Sequence, residues 1–539
     1  MYYFLGSLVL LGVLIFFALF GGTIVAVIEK FFNYKCPNVL LRAAFAITAS
    51  VVFLACAGLV VAVVPVTYKQ PVAIVILLLL LLLGIFGTFR FNTFFALASA
   101  SRAEIIILAG YVLFSTSCLL LSCSNPNMPA NLPDGPYVSK EWTRGVKIQF
   151  MTGSLPLDNV LPFEVSEYFL RGISFKDNHP IMPGQEVTNR PVLAAAVVTP
   201  FLAAIAPPDS TENTLPTFSY VGTQWPDFRV LVRDDRACTV YLAVMIALNA
   251  ALLLGVAVFF NSMAKLKVGT AVMATLLFIT SPYFIFQTIF TWPKELAAFF
   301  VLLALTLAVT SKGRQLLVGP ILGLAYLSHP YAGAFLVGFG LFYLIKNEIK
   351  NSYRDVITLG VGFFLATFPW FLWKRHLHLP SDLVSQNLFI AGQSHFDFIW
   401  VRFANLFNTF LPVHLLAYPF DLTGLLIGSS LNVAGAIGIL VYGLCLLHFS
   451  DIYRSKILNY VAVVVGIPSL ILVSLFSIRT VPVILGLQVL VPLLVFGVPL
   501  RLEKYKPEFR IAILGTQVIV NIILFGMYLI SMGIIHGPR

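Results

Sequence analysis

Runs of about 20 mostly apolar residues return along the whole chain, from 3–28 near one end to 511–534 at the other. A helix of that length matches the roughly 30 Å hydrocarbon core of a bilayer. Inside hydrocarbon each backbone N–H and C=O must find its partner within the segment, so an isolated apolar run of this kind crosses as a helix. Composition removes the soluble alternative: 59% of the residues are hydrophobic and 11% charged, against about 25% charged in soluble domains. Six Cys in 539 residues are too few for a disulfide-stapled scaffold, and the apolar excess excludes a disordered chain. The expected fold class is an all-α polytopic membrane protein with about fourteen (12–14) transmembrane helices.

The expected spans are 3–28, 41–66, 71–89, 103–123, 237–260, 269–289, 296–310, 315–329, 331–345, 356–373, 426–448, 457–477, 481–500 and 511–534. The first lacks the basic flank of a cleaved signal and reads as a retained span. The shortest are marginal for an upright crossing, and the break at Ser328, His329 and Pro330 fits either a re-entrant pair or a boundary.

Charge orients these spans. Every second connection is short and basic: Lys30, Lys35 and Arg42; Arg90 and Arg102; Lys265 and Lys267; Lys312 and Arg314; Lys346, Lys350 and Arg354; Arg454 and Lys456; Arg501, Lys504, Lys506 and Arg510. The positive-inside rule places them in the cytoplasm. Two long segments, 124–236 and 374–425, then lie outside, and with Glu295 they hold 16 of the 23 acidic residues. Any chemistry is therefore expected on the extracytoplasmic face. The formal charge of +11 belongs to the cytoplasmic links and calls for no nucleic acid. Cys118, Cys123 and Cys238 fall near the outer face, where Cys123 and Cys238 could oxidise or all three could pack as thiols.

The external segment 124–236 is long enough to need a reason. It contains LPDGPYVSKEW from Leu132 to Trp142 and LPLDNVLPFEVSEYFLRG from Leu155 to Gly172. In the second stretch Asp158 or Asn159 can cap a helix that Pro162 helps to start. Phe163, Tyr168 and Phe169 would then lie on the membrane surface. From the local residues alone Asp158 is better explained as an N-cap, and Asp134 is explained by its Pro-Asp-Gly turn. Glu164 and Glu167 share a helix face. The apolar stretch after Pro191, interrupted by Pro200, also reads as interfacial.

Segment 374–425 mixes Lys374, Arg375, His376, His378, His395 and Arg402 with aromatics. Cations beside an apolar interface suit a lipid phosphate or pyrophosphate, and equally the headgroups of anionic lipids. Arg479 is the only charge in a short late link. Within TWPKE, Lys294 and Glu295 sit near the hydrocarbon boundary, where ionisable groups are functional candidates or a snorkelling pair.

In order and spacing these features resemble the GT-C superfamily, integral-membrane glycosyltransferases that use polyprenyl-phosphate-linked sugars. The resemblance covers roughly 103–380: a span, a large external loop with an acid before an amphipathic helix, NRPVL from Asn189, FRVLVRDDRACTVYL leading into a span, and SPYFIFQTIFTWPKELAAFFVLLAL with GRQLLVGPILGLAYLSHPYAGAFLVGF. Four spans precede the loop where family members usually have one, and the usual acidic pair is absent, Asp158–Asn159 and Asp134–Gly135 standing nearest. The implied organisation is 1–102 as added N-terminal helices, 103–123 as the first core span, 124–236 as the active-site loop, 237–373 as the transmembrane core, 374–425 as a second external segment and 426–539 as C-terminal helices.

The resemblance implies an inverting transfer to an acceptor hydroxyl on a glycan, lipid or protein, at what would be a bacterial inner membrane. Asp158 would be the general base, with Asp134 second and Glu164 and Glu167 supporting. Lys294, Arg375, Arg402 and Arg479 would hold the donor phosphate, and Asn159, Tyr168, Arg190 and His329 would line the acceptor pocket. The leaving phosphate needs no general acid, and neither a metal nor another cofactor is required. Two other functions use the same materials: a transporter or flippase of lipid-linked sugars, and a polysaccharide polymerase or ligase. The absence of related halves argues against the first, and the carboxylates of 134–167 against the second.

Overall fold

The computed structural model describes residues 2–31, 36–93, 98–123, 161–176, 186–208, 219–220, 226–227, 235–289, 291–310, 315–346, 349–380, 461–475 and 487–531. They are helical apart from turns and one short antiparallel ladder, Ser219–Tyr220 (β1) with Pro226–Asp227 (β2), in which Ser219 faces Asp227. The chain forms two units, one of Met1–Ala251 with Phe286–Pro293 and the other of Leu252–Ile285 with Lys294–Ser531.

In the first unit α1 (Tyr2–Phe16) runs through a π-helical turn, Phe17–Gly21, into α2 (Gly22–Phe31). There follow α3 (Val39–Val63), α4 (Val66–Phe91), α5 (Arg102–Cys123), α6 (Leu161–Arg171), α7 (Leu193–Ile205) and α8 (Asp235–Ala250). Local chemistry sets the starts. The Asn38 side chain accepts from the N–H of Leu41 at 2.7 Å, capping α3. Ser101 and Glu104 form a reciprocal capping box on α5, the Glu104 carboxylate accepting from Ser101 N–H at 2.8 Å and the Ser101 hydroxyl from Glu104 N–H at 3.3 Å. The other Glu104 oxygen accepts from Val39 N–H at 3.0 Å, so one buried carboxylate closes two helix starts. Across the first basic connection Glu29 pairs with Arg42 at 3.3 Å.

The two helices expected to lie on the membrane surface are instead buried within this unit. Leu161 through Arg171 of α6 are buried apart from Phe169, and Leu193 through Ala203 of α7 are buried throughout. The polar residues of α6 have partners inside the unit. Ser166 donates to the carbonyls of Pro162 and Ala195, at 2.8 and 3.0 Å, and Arg171 Nε lies 3.1 Å from Glu167. Helix α7 packs on α3 so closely that a Cβ at Gly58 would stand 1.8 Å from the Ala196 carbonyl oxygen. Small residues at such crossings let backbones meet where lipid gives no hydrophobic drive. Cys118 and Cys238 are buried, and the side chain of Cys123 lies outside those the structure describes.

The second unit contains α9 (Leu252–Ala264), α10 (Val268–Thr280) and the start of α11 (Pro282–Ile289), then α12 (Lys294–Thr310) and α13 (Gln315–Ser328). A 3₁₀ turn, Pro330–Ala332, leads into α14 (Gly333–Lys346), followed by α15 (Ile349–Leu377). A π-helical turn, Ala462–Gly466, opens α16 (Ile467–Leu475), and α17 (Leu487–Leu502) and α18 (Pro507–Ser531) are its last described helices. The α13–α15 crossing repeats the small-residue device: a Cβ at Gly319 would lie 2.4 Å from the Leu359 carbonyl, and one at Gly323 2.5 Å from Ala366 Cβ.

Among the described residues six helices are long and apolar enough to cross a membrane: Phe4–Phe31, Val39–Val63, Val66–Phe91, Arg102–Ser122, Arg236–Ala264 and Ser352–Leu377. The pair Val268–Thr280 and Tyr283–Ile289, bent by 62°, makes a seventh if counted as one broken span. This is the all-helical membrane protein expected from the sequence in its coarser form. The expected spans at 296–310, 315–329 and 331–345 are the shorter helices α12, α13 and α14, and the one at 426–448 lies outside the described residues.

Candidate functional site

In the first unit the chemistry gathers on α6. Glu164 and Glu167 are fully buried and Tyr168 and Arg171 nearly so. Glu167 and Arg171, four residues apart and one turn removed, form the buried ion pair. The Glu164 charge reaches the phenols of Tyr168 and Tyr241. Burial, and secondarily that charge, raise the pKa of Tyr168 well above the usual tyrosine value, so its phenol stays protonated at any physiological pH. Around this group Tyr168 stacks on Phe175 with centroids 4.7 Å apart, and Phe163 meets Tyr241 edge-on at 5.4 Å.

A second element of the unit brings Arg190 of NRPVL to Trp292. The 3₁₀ turn Val187–Asn189 delivers Arg190, whose guanidinium carbon lies 5.3 Å from the Trp292 ring centroid. Asn249 of α8 donates to the Trp292 carbonyl at 3.2 Å. The preceding residue, Thr291, is fully buried with φ +53 and shares a side-chain hydrogen bond with Tyr241. A β-branched residue in the left-handed region is strained, and such strain persists only where its surroundings over-determine it.

The second unit holds its own polar cluster. Lys294 and Glu295 open α12 and are both buried. Tyr331 donates its phenol hydrogen to the Lys294 carbonyl at 2.8 Å. His329 caps the 3₁₀ turn, its Nδ1 accepting from Tyr331 N–H at 3.3 Å, which leaves Nε2 to carry the proton of the neutral ring. The Glu295 charge reaches both Tyr331 and Tyr283, and the buried Tyr283 hydroxyl has no hydrogen-bond partner among the described residues. Arg375 is placed otherwise: it is exposed in the last turn of α15, beside Lys374 and His376, where a helix C-terminus favours cations.

Of the residues singled out in the sequence, Glu164, Glu167 and Tyr168 thus share α6, Arg190 meets Trp292, and His329 joins Lys294 through Tyr331. Asp134, Asp158, Asn159, Arg402 and Arg479 lie outside the described residues. Arg171, Thr291, Tyr283 and Tyr331 were not anticipated. The i,i+4 spacing from Glu167 could have revealed Arg171, whereas the other three depend on long-range packing. No group of three His, Cys, Asp or Glu side chains able to hold a metal occurs among the described residues.

Compared with known proteins, the chain matches no family model, no curated protein and no solved structure.

Proposed function

We propose that this chain is an integral-membrane glycosyltransferase of the GT-C type, moving a sugar from a polyprenyl-phosphate donor to an extracytoplasmic acceptor hydroxyl with inversion. The observation that carries the reading is α6, the helix that begins just after Asp158. It buries Glu164, Glu167 and Arg171 in a chain with only 11% charged residues. Ionisable groups buried in a membrane protein are expensive and are functional candidates by default. In this reading Asp158, with Asp134 as second choice, takes the acceptor proton. Lys294, Arg375, Arg402 and Arg479 bind and neutralise the departing phosphate, and Tyr168, Asn159, Arg190 and His329 belong to the acceptor side. Twelve to fourteen helices would span the bilayer, with the basic links in the cytoplasm and 124–236 outside.

A second reading, transport of lipid-linked sugars, is favoured by one feature. Helices α10 and α11 form a pair bent by 62°, and the buried Lys294 and Glu295 follow directly. Discontinuous helices beside buried charge are a transporter device. One assay separates the two. Purified protein is reconstituted in vesicles with a panel of undecaprenyl-phosphate sugars and an acceptor extract. Transfer releases free polyprenyl phosphate, while transport moves the intact donor between leaflets. Leaflet movement of intact donor with no release across the panel would replace the transferase reading with the transporter one.

A further inference from the structure

Lys69 is the fourth residue of α4 and only 4% exposed. Its ammonium donates to the Ala62 carbonyl at 3.1 Å and to the carbonyl of Phe169, 100 residues further along the chain. Both acceptors are among the last four carbonyls of their helices, Ala62 in α3 and Phe169 in α6, positions where no intrahelical donor remains. One carbonyl of the α6 terminus is closed locally. Gly172, at φ +66, turns the chain, and Ile173 N–H reaches back to the Tyr168 carbonyl at 3.0 Å. The Phe169 carbonyl is taken by Lys69.

The electrostatics suit this arrangement. A cation near the start of its own helix opposes that helix's dipole, but here it faces the negative ends of two others. The neighbouring contacts agree. The α7 backbone seats on Gly58 of α3, and Gly172 at the end of α6 faces Val66, the first residue of α4. We infer that α3 and α4 form a platform that seats α6, and that Lys69 is the positioning residue that latches it. This gives the N-terminal helices a role that the sequence left without one, and it does not rest on the transferase reading.

Two measurements test it. In the intact protein, reductive methylation should modify Lys69 at least about tenfold more slowly than Lys267, whose side chain is 74% exposed. Hydrogen exchange on Lys69→Met should then rise by about tenfold or more within 161–171 while 102–123 keeps its protection. Lys69→Arg, which retains charge and donors, should restore protection in 161–171. Methylation of Lys69 as fast as Lys267, or unchanged exchange in 161–171 of Lys69→Met, overturns the inference. So does a general loss of protection that Lys69→Arg fails to confine. If Lys69→Met does not fold, the methylation rate and the Lys69→Arg exchange pattern decide.

Discussion

The guanidinium of Arg190 lies over the indole of Trp292, 5.3 Å from the ring centroid, joining two motifs about a hundred residues apart. A cation over an aromatic face contributes about 0.5–1 kcal/mol when exposed and about 2 or more when desolvated. Arg190→Ala and Trp292→Leu should therefore each destabilise the protein, with a coupling of about 1 kcal/mol in a double-mutant cycle by denaturant titration. Arg190→Lys, which keeps the charge but loses the flat face, should recover only part of the loss. Strict additivity of the two substitutions would show that the contact contributes nothing.

The buried Glu167–Arg171 pair predicts an asymmetry between single and double changes. Arg171→Met removes the partner but leaves the carboxylate in the interior, which typically costs about 3–5 kcal/mol. The double variant Glu167→Gln, Arg171→Met removes the charge as well and should be the more stable of the two. Thermal stability in one detergent compares them, and a double variant weaker than Arg171→Met contradicts the prediction.

Gly58 and Gly12 make a matched test of packing. A Cβ at Gly58 would lie 1.8 Å from the Ala196 backbone carbonyl, whereas at Gly12 nothing lies within 4 Å. Overpacking costs typically about 1–3 kcal/mol and more where backbone blocks the way. Gly58→Ala should sharply reduce the monodisperse fraction in size-exclusion chromatography, and Gly12→Ala should leave it unchanged. Equal behaviour of the two variants would mean that α3 and α7 do not meet at this seam.

Asp158→Asn separates base from cap. Asn caps a helix about as well as Asp but accepts no proton in the reaction. If Asp158 is the base, turnover in the polyprenyl-phosphate assay should fall by about 10²- to 10⁴-fold with the fold intact. Near-normal transfer by Asp158→Asn beside a dead Asp134→Asn would move the assignment to Asp134.

Topology is testable without activity. Reporter fusions at Lys267 and Asn178 should report opposite sides of the membrane, Lys267 cytoplasmic and Asn178 external. Like signals at both positions would refute the charge-based orientation.

The apolar runs by themselves determined the helical membrane class and most helix positions, because backbone satisfaction in hydrocarbon and the length of a crossing are local properties. Much of the capping was equally local, as at Asn38 and at Ser101 with Glu104, whose caps lie within a few residues, though Glu104 also reaches the α3 start at Val39. Burial was not. In a soluble protein the apolar face marks the core, but here the outward faces are apolar too: Leu78, Leu82 and Phe86 of α4 are exposed. Hydropathy therefore could not tell which faces of α6 and α7 are buried. Only tertiary structure decided that, through Ser166 with Ala195, Gly58 against Ala196, and Lys69 at the end of α6. The strained Thr291 and the meeting of Arg190 with Trp292 belong to the same class. Each depends on partners distant in sequence, whose approach is set by packing and not by local pattern.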